Sequence, residues 1–315
     1  MKTYNIAVLG ATGAVGREML KVLEEYDVPV GRLLPLASAS SAGKSVRFRG
    51  EDVAVEAAAD GSFERMDFVL GAVKNAMSRR FAPAIVRSGA VFIDNSSAFR
   101  TEPDVPLVVP EINGEDILWN SGIIANPNCS TVITMMAVAG IARLSPIKNM
   151  IVCTYQAVSG AGQAGLEELK EQLRAVAGGY APERRVFPHQ IANNVIPFIG
   201  EELENLYTDE EMKMQNEGRK ILHLPGLRVN CTCVRVPVAR SHAIALTLCT
   251  QDSVPLAQAA SAMGGLLDAV YRPNPRDAAI YQKLYALYAA LHDQFGRDAH
   301  SPMRALRNIQ SESLG

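Results

Sequence analysis

At 315 residues, 48% hydrophobic and 20% charged, the chain has room for two domains with sizeable cores and the composition of a soluble globular protein. A formal net charge of -2 and a pI near 6.2 leave no electrostatic footprint for nucleic acid. No apolar stretch approaches the roughly 18 residues that a membrane helix needs, and the first apolar run is too short for a signal peptide, so the expected compartment is the cytoplasm.

The first apolar run, YNIAVL (4–9), ends at Gly10 and is followed by a helical pattern from about Val15 to Glu25. The runs LLPLAS (33–38), MDFVLGAV (66–73), AVFIDN (90–95) and GIIANP (122–127) then alternate with helical stretches. Continuous apolar strands between helices predict a parallel sheet covered on both faces, a doubly wound Rossmann-like α/β domain over residues 1–128. Between the first strand and helix lie Gly10-Ala11-Thr12-Gly13-Ala14-Val15-Gly16. Glycines there permit a tight turn and close backbone approach, and the helix N-terminus offers free N–H groups to a pyrophosphate. The spacing G-x-x-G-x-x-G differs from the commonest dinucleotide pattern, and a turn without a ligand is the competing reading.

The second strand runs into LASASSAGKS (36–45), without the acidic residue that grips a ribose 2′-hydroxyl. Ser38, Ser40, Ser41 and Lys44 suit a 2′-phosphate and favour NADP over NAD, against the alternative of a serine-rich surface loop. Further on, Arg100 in DNSSAFR (94–100) stands where the carboxyl end of a sheet presents a phosphate clamp, or is simply a surface arginine.

At residues 125–131, ANPNCST, a turn-like run meets Cys129 and then an apolar helix pattern. The chain holds five cysteines, an odd number that argues against a disulfide framework. Cys231 and Cys233 share one face of a strand, but no second Cys/His pair has the spacing to complete a zinc site, so no metal is expected. Cys129 at a helix mouth, with Asn126, Asn128, Ser130 and Thr131 as turn and capping groups, suits a thiolate nucleophile. An isolated cysteine is more often a small buried hydrophobe.

Beyond Cys129 the pattern changes. KNMIVCTYQAVSG (148–160), LRVNCTCVRVPV (227–238) and HAIALTLCT (242–250) are β-rich, and GLEELKEQLRAVAG (165–178) is helical. The expectation is an α+β domain on a mostly antiparallel sheet over residues 129–299. Within it, Gln156 is followed by a glycine-rich loop through Ser159 and Gly160 that admits a substrate carbonyl and a cofactor. Arg235 suits a carboxylate, and His242 an acid/base role near neutral pH. Glu210 and Lys213 lie three apart on a helix, a spacing that usually means a solvated face. The stretch AAIYQKLYALYAALHDQF reads as helical before a polar tail.

Taken in order, GATGAVG, DNSSAFR, NPNCST, TYQAVSGAG, DEEMKM and CVRVPVARSH resemble the aspartate-semialdehyde dehydrogenases of the bacterial type, over roughly residues 3–250. The resemblance implies NADP-dependent, reversible conversion of aspartate semialdehyde and phosphate to aspartyl phosphate, run reductively towards lysine, methionine and threonine, by a homodimer. It implies that Cys129 is the nucleophile, His242 the acid/base and Gln156 an orienting group. Arg100, Asn128 and Lys213 would hold phosphate, and Glu210 and Arg235 would read the amino and carboxylate groups. Gly10, Thr12, Gly13, Ala14, Val15, Ser38, Ser40, Ser41, Ser159 and Gly160 would line the cofactor. Asn128 stands where the related N-acetyl-glutamyl-phosphate reductases carry glycine, which favours the aspartate branch over that alternative.

The chain also departs from the pattern. Ser40 replaces the arginine of the family's 2′-phosphate loop, and Lys74 and Asn75 replace glycines after the third strand. The family's V-G-R-I-R strand and its returning glycine- and alanine-rich helix are not recognisable between Asp277 and Gly315, although residues 302–310 offer a diverged version that would complete the first domain. A nucleotide-binding paralogue with impaired catalysis is the reading those departures leave open.

Overall fold

The computed structural model describes residues 2–264 and 274–293. The first strand, β1 (Tyr4–Leu9), is buried at both flanks because its Ile6, Ala7, Val8 and Leu9 are apolar without alternation. Gly10 then turns the chain into α1 (Ala14–Glu25), which buries Gly16, Leu20 and Leu23. β2 (Val30–Ala37) pairs with β1 in parallel. A hairpin of β3 (Ser45–Phe48) and β4 (Glu51–Ala54) follows, then the two-residue β5 (Glu56–Ala57). β6 (Phe68–Gly71), α2 (Asn75–Arg87), β7 (Val91–Asp94), the short α3 (Pro110–Asn113) and β8 (Ile123–Ala125) complete the first layer.

The six strands lie in the order β5-β2-β1-β6-β7-β8, every ladder parallel. This is the doubly wound arrangement that the alternating pattern predicts. Strand order reverses between β1 and β6, which opens the crevice where such sheets bind ligands. Gly10 sits at that crevice with φ +93°, and a Cβ on it would lie 2.4 Å from the Ala72 carbonyl oxygen. No other residue fits there.

α4 (Cys129–Ala142) leads to the second sheet. β9 (Ile147–Gln156) is its centre, and α5 (Gly162–Ala177) and α6 (Asp209–Ile221) precede β10 (Arg228–Arg235) and β11 (Ala243–Thr250). The order is β10-β9-β11. β9 pairs antiparallel with β11 and parallel with β10, so the sheet is mixed and antiparallel pairing accounts for one ladder of the two. The long connection through α5 and α6 lets β10 run alongside β9 in the same direction. One apolar cluster runs from Leu9, Leu36 and Phe92 to Met135, Met150 and Met214, so α4 and α6 share a core with both sheets.

α7 (Leu256–Met263) ends the compact unit that spans residues 1–263. In the separate unit of residues 264–315, α8 (Pro275–His292) forms where the apolar, alanine-rich pattern predicts a helix. The stretch 302–310 lies outside the described residues. No helix among the described residues is long and apolar enough to cross a membrane.

Candidate active site

Cys129 is the first residue of α4. Asn128 is the cap: its side-chain oxygen accepts from the backbone N–H groups of Ser130 and Thr131 at 2.9 and 3.3 Å. That bond satisfies two of the free donors at the helix start and fixes the turn that carries the thiol. Cys129 is exposed, and its Sγ lies 3.3 Å from His242 Nε2. On the far side of the ring, the Ala157 N–H donates to His242 Nδ1 at 3.1 Å. An occupied Nδ1 lone pair places the proton of the neutral imidazole on Nε2, facing the sulfur. Ser241, with φ +72°, holds the sharp turn that delivers His242 to the edge of β11.

The charges around the pair set its protonation. Although the residue is exposed, desolvation of its sulfur by the surrounding protein and the Glu210 carboxylate push the Cys129 thiol up, against the Ser130 hydrogen bond and the charge of Arg100. Burial and the Arg235 guanidinium push His242 below its ordinary value, so the ring is neutral at physiological pH. The sulfur and the imidazole are therefore not a standing ion pair. The ring is poised to donate from Nε2 to a thiolate or to an oxygen beside it.

α6 supplies the next layer. Glu210 Oε1 accepts from Asn128 Nδ2 at 3.0 Å and from Gln156 Nε2 at 3.3 Å, and its other oxygen accepts from Lys213 Nζ at 3.1 Å. Lys213 also donates to Asp209 at 2.7 Å. Burial opposes the Lys213 charge, but the two carboxylates outweigh it and raise its pKa. A Thr208 capping box with Glu211 begins the helix and fixes this face. Arg235 ends β10, buried, with Nη1 donating to the Ala157 carbonyl at 2.7 Å. Gly160 packs against it so closely that a Cβ would lie 2.8 Å from Nη1. Gly160 thus faces Arg235.

Arg100 is buried and donates from Nε to the Asn126 carbonyl, from Nη2 to the Asn95 carbonyl and from Nη1 to Glu217, at 2.8, 2.9 and 3.1 Å. Glu217 had no signal in its immediate sequence neighbours. The signal lies in the spacing, because Glu210, Lys213, Glu217 and Lys220 fall three, four and three apart on one helix face. Lys220 donates to the backbone carbonyls of Arg100, Glu102 and Val105 at 3.0, 2.6 and 2.6 Å and pins the segment after Arg100. Asn75, at a position read as a departure, binds Ser97 through both side-chain atoms, at 2.8 Å from Nδ2 and 3.0 Å to Oδ1.

Two cavities flank α1. One, of about 320 Å³, is lined by Ala14, Val15, Ser159, Gly162, Leu166 and Arg240. The other, of about 450 Å³, has four cations in its lining, Arg17, Lys21, Lys44 and Arg47, against one carboxylate, Glu24, with Thr12 at its edge. Gly13, the residue before α1, makes no side-chain cap, so the first N–H groups of the helix stay available to an anion. The two cavities and the bare helix N-terminus between them fit a dinucleotide. Ser38 and Ser40 hydrogen-bond to each other at 2.9 Å in the loop after β2, and neither lines the basic cavity. Among the described residues no group of three or more His, Cys, Asp or Glu side chains has the geometry of a metal site.

Residues 5–119 match the family model described as "Semialdehyde dehydrogenase, NAD binding domain", and residues 138–280 match "Semialdehyde dehydrogenase, dimerisation domain". The aspartate-semialdehyde dehydrogenase of Synechocystis sp. is 43% identical over 281 residues, covering 87% of this chain and 83% of the relative. The chain belongs to the aspartate-semialdehyde dehydrogenase family. The Campylobacter jejuni relative is 47% identical over 253 residues, covering 78% and 74% of the two chains. A Vibrio cholerae aspartate semialdehyde dehydrogenase II crystal structure superposes with a TM-score of 0.81 at 43% identity, covering 83% of this chain and 78% of that one. A second structure of that enzyme is described as complexed with ASA.

Proposed function

We propose that the protein catalyses the reversible, NADP-dependent reductive dephosphorylation of aspartyl 4-phosphate to aspartate 4-semialdehyde through a thioester on Cys129, in the cytoplasm, on the route to lysine, methionine and threonine. The observation that carries the reading is Cys129 Sγ at 3.3 Å from a histidine whose other nitrogen is fixed by a backbone N–H. In the reductive direction the Cys129 sulfur attacks the acyl carbon as the thiolate, the C–O bond to phosphate breaks with its electron pair on the departing phosphate, and the proton lost from the thiol ends on that phosphate. A bound nicotinamide supplies the hydride that reduces the acyl carbon. His242 Nε2–H donates to the oxygen that carries negative charge on the tetrahedral carbon, and the C–S bond then breaks to return thiolate and release the aldehyde.

Gln156 and Asn128 present side-chain amides to the same small space, and Glu210 with Arg235 supports recognition of a free amino acid's ammonium and carboxylate. Arg100, Lys213 and Asn128 take the phosphate. Thr12 to Val15 and Ser159 bound the cofactor, with Gly10 shaping the turn. The basic cavity at Arg17, Lys21, Lys44 and Arg47 supports NADP despite serine at position 40. The change from the parallel sheet to the mixed one between β8 and β9 supports dividing the chain at residues 128 and 129 into a nucleotide-binding and a catalytic domain. Exposed Ile133, Met136, Ile151 and Tyr155, together with the matched dimerisation model, support a homodimer that covers them.

The direct test is oxidation of aspartate semialdehyde with NADP, with and without phosphate, in the wild type and in Cys129→Ala. Phosphate-dependent turnover that vanishes in the variant is expected, whereas unchanged turnover in the variant removes Cys129 as the nucleophile. A parallel assay with N-acetyl-glutamate semialdehyde decides the acyl group, and preference for it would overturn the role given to Glu210 and Arg235.

A further inference from the structure

The charged face of α6 does not stop at the acyl site. Glu217 lies one turn below Lys213, with its side chain 1% exposed. Its Oε1 accepts from Arg100 Nη1 at 3.1 Å, and its Oε2 accepts from the backbone N–H of Asn128 at 2.7 Å. We propose that Glu217 is a positioning residue that locks the phosphate clamp Arg100 and the helix start carrying Cys129 into one rigid unit, through the two oxygens of a single carboxylate. This rests on the phosphate-dependent reaction proposed above.

The geometry leaves little room for Glu217 as mere filling. Burying a carboxylate is unfavourable, and burial does push Glu217 up against the charge of Arg100 and the Asn128 N–H. Arg100 already has neutral acceptors in the Asn95 and Asn126 carbonyls, so holding the guanidinium needs no third, ionic partner. The second oxygen makes the difference, because it binds the residue directly before Cys129. That residue is also the α4 cap and the partner of Glu210. A cavity of about 240 Å³ opens beside this link, with Arg100 and Lys213 in its lining against the carboxylates of Asp209 and Glu217, each already paired with one of those cations, and it has the size for a phosphate. An anion that draws on Arg100 there pulls against the same carboxylate that fixes the sulfur's helix. Clamp and nucleophile keep one spacing, as displacement of a thioester by phosphate requires.

Two substitutions test the link. In Glu217→Gln the amide oxygen can still accept from Asn128, but the amide nitrogen faces Arg100 Nη1 donor to donor and displaces the guanidinium. The KM for phosphate is expected to rise about tenfold or more and kcat to fall, with the KM for semialdehyde within about twofold, because Glu210 and Arg235 are untouched. Glu217→Asp keeps the charge on a shorter stem that reaches one partner at a time, and is expected to give the same split at smaller size. Protection of Cys129 from iodoacetamide by inorganic phosphate reads the same link without turnover, and is expected to need about tenfold more phosphate in Glu217→Gln. A wild type without phosphate-dependent turnover would overturn the proposed reaction, while the protection assay would still judge the link. Tighter phosphate binding in Glu217→Gln would reduce Glu217 to a repulsive charge and overturn the proposal. Equal changes in both KM values, or loss of soluble protein in both variants, would mark a purely structural role and also overturn it.

Discussion

The proposed acyl site and the proposed nucleotide cleft are built on opposite plans. At the acyl site every charge already has protein partners: Glu210 has three donors, Arg100 three acceptors and Lys213 two carboxylates. A substrate there exchanges partners within a fixed frame, which gives specificity through preorganisation. At the nucleotide side the cations are loosely held. Arg47 pairs with Asp52 at 3.5 Å with both side chains about two-thirds exposed, and Lys44 forms no ion pair among the described residues. Such charges capture an anion by attraction more than by fit, so the two sites should answer differently to mutation and to salt.

The sharpest break comes from the proposed nucleophile. Cys129→Ala should lower kcat by about 10⁴-fold or more with NADP affinity unchanged by calorimetry, because the sulfur forms the bond while the cleft is built elsewhere. Next is Arg235→Lys, which loses the planar fork against a carboxylate in a buried setting. It should raise the KM for semialdehyde by about a hundredfold and leave the KM for NADP within about twofold. On the other side of the comparison, Lys44→Ala should weaken NADP about tenfold and NAD hardly at all. NADP affinity in the wild type should fall with added salt more steeply than semialdehyde affinity.

The pH response separates the charges at the acyl site. Desolvation of the sulfur and the Glu210 charge raise the thiol, so the alkylation rate of Cys129 should keep climbing above the ordinary thiol range. Glu210→Gln removes a negative neighbour and should move that profile to lower pH. His242, depressed by burial and Arg235, should hold its neutral form down to mildly acidic pH, with turnover lost below that as Nδ1 gains a proton against the Ala157 N–H. The smallest effect is on stability. Asn128→Ala removes the α4 cap and should lower stability by about 1 kcal/mol, read as a drop of a few degrees in Tm.

The contrast also explains what could be read from the sequence. The parallel sheet was legible because its strands are uninterrupted apolar runs, and Cys129 at a helix start because ANPNCST combines turn and capping residues before an apolar helix. The β3–β4 hairpin was not, because its turn is Arg49-Gly50 with both residues at positive φ, a conformation arginine rarely adopts. Arg49 holds it through Nη2 on the Val28 carbonyl at 2.6 Å, a contact only the folded chain brings together. The parallel partner of β9 was hidden for a related reason: side-chain alternation marks a strand without revealing its direction. Glu217 and Lys220 were missed because DEEMKM draws attention to the first turn of α6, whereas the stripe they continue becomes visible only over the next two turns.

The central claim is that Cys129 carries the acyl group. It is tested most directly by mixing the enzyme with aspartate semialdehyde and NADP without phosphate, quenching in acid and measuring the protein's mass. The account predicts an aspartyl adduct on the peptide containing Cys129, released by phosphate and absent in Cys129→Ser. Steady turnover in phosphate with no adduct trapped, or an adduct on a different residue, would contradict it.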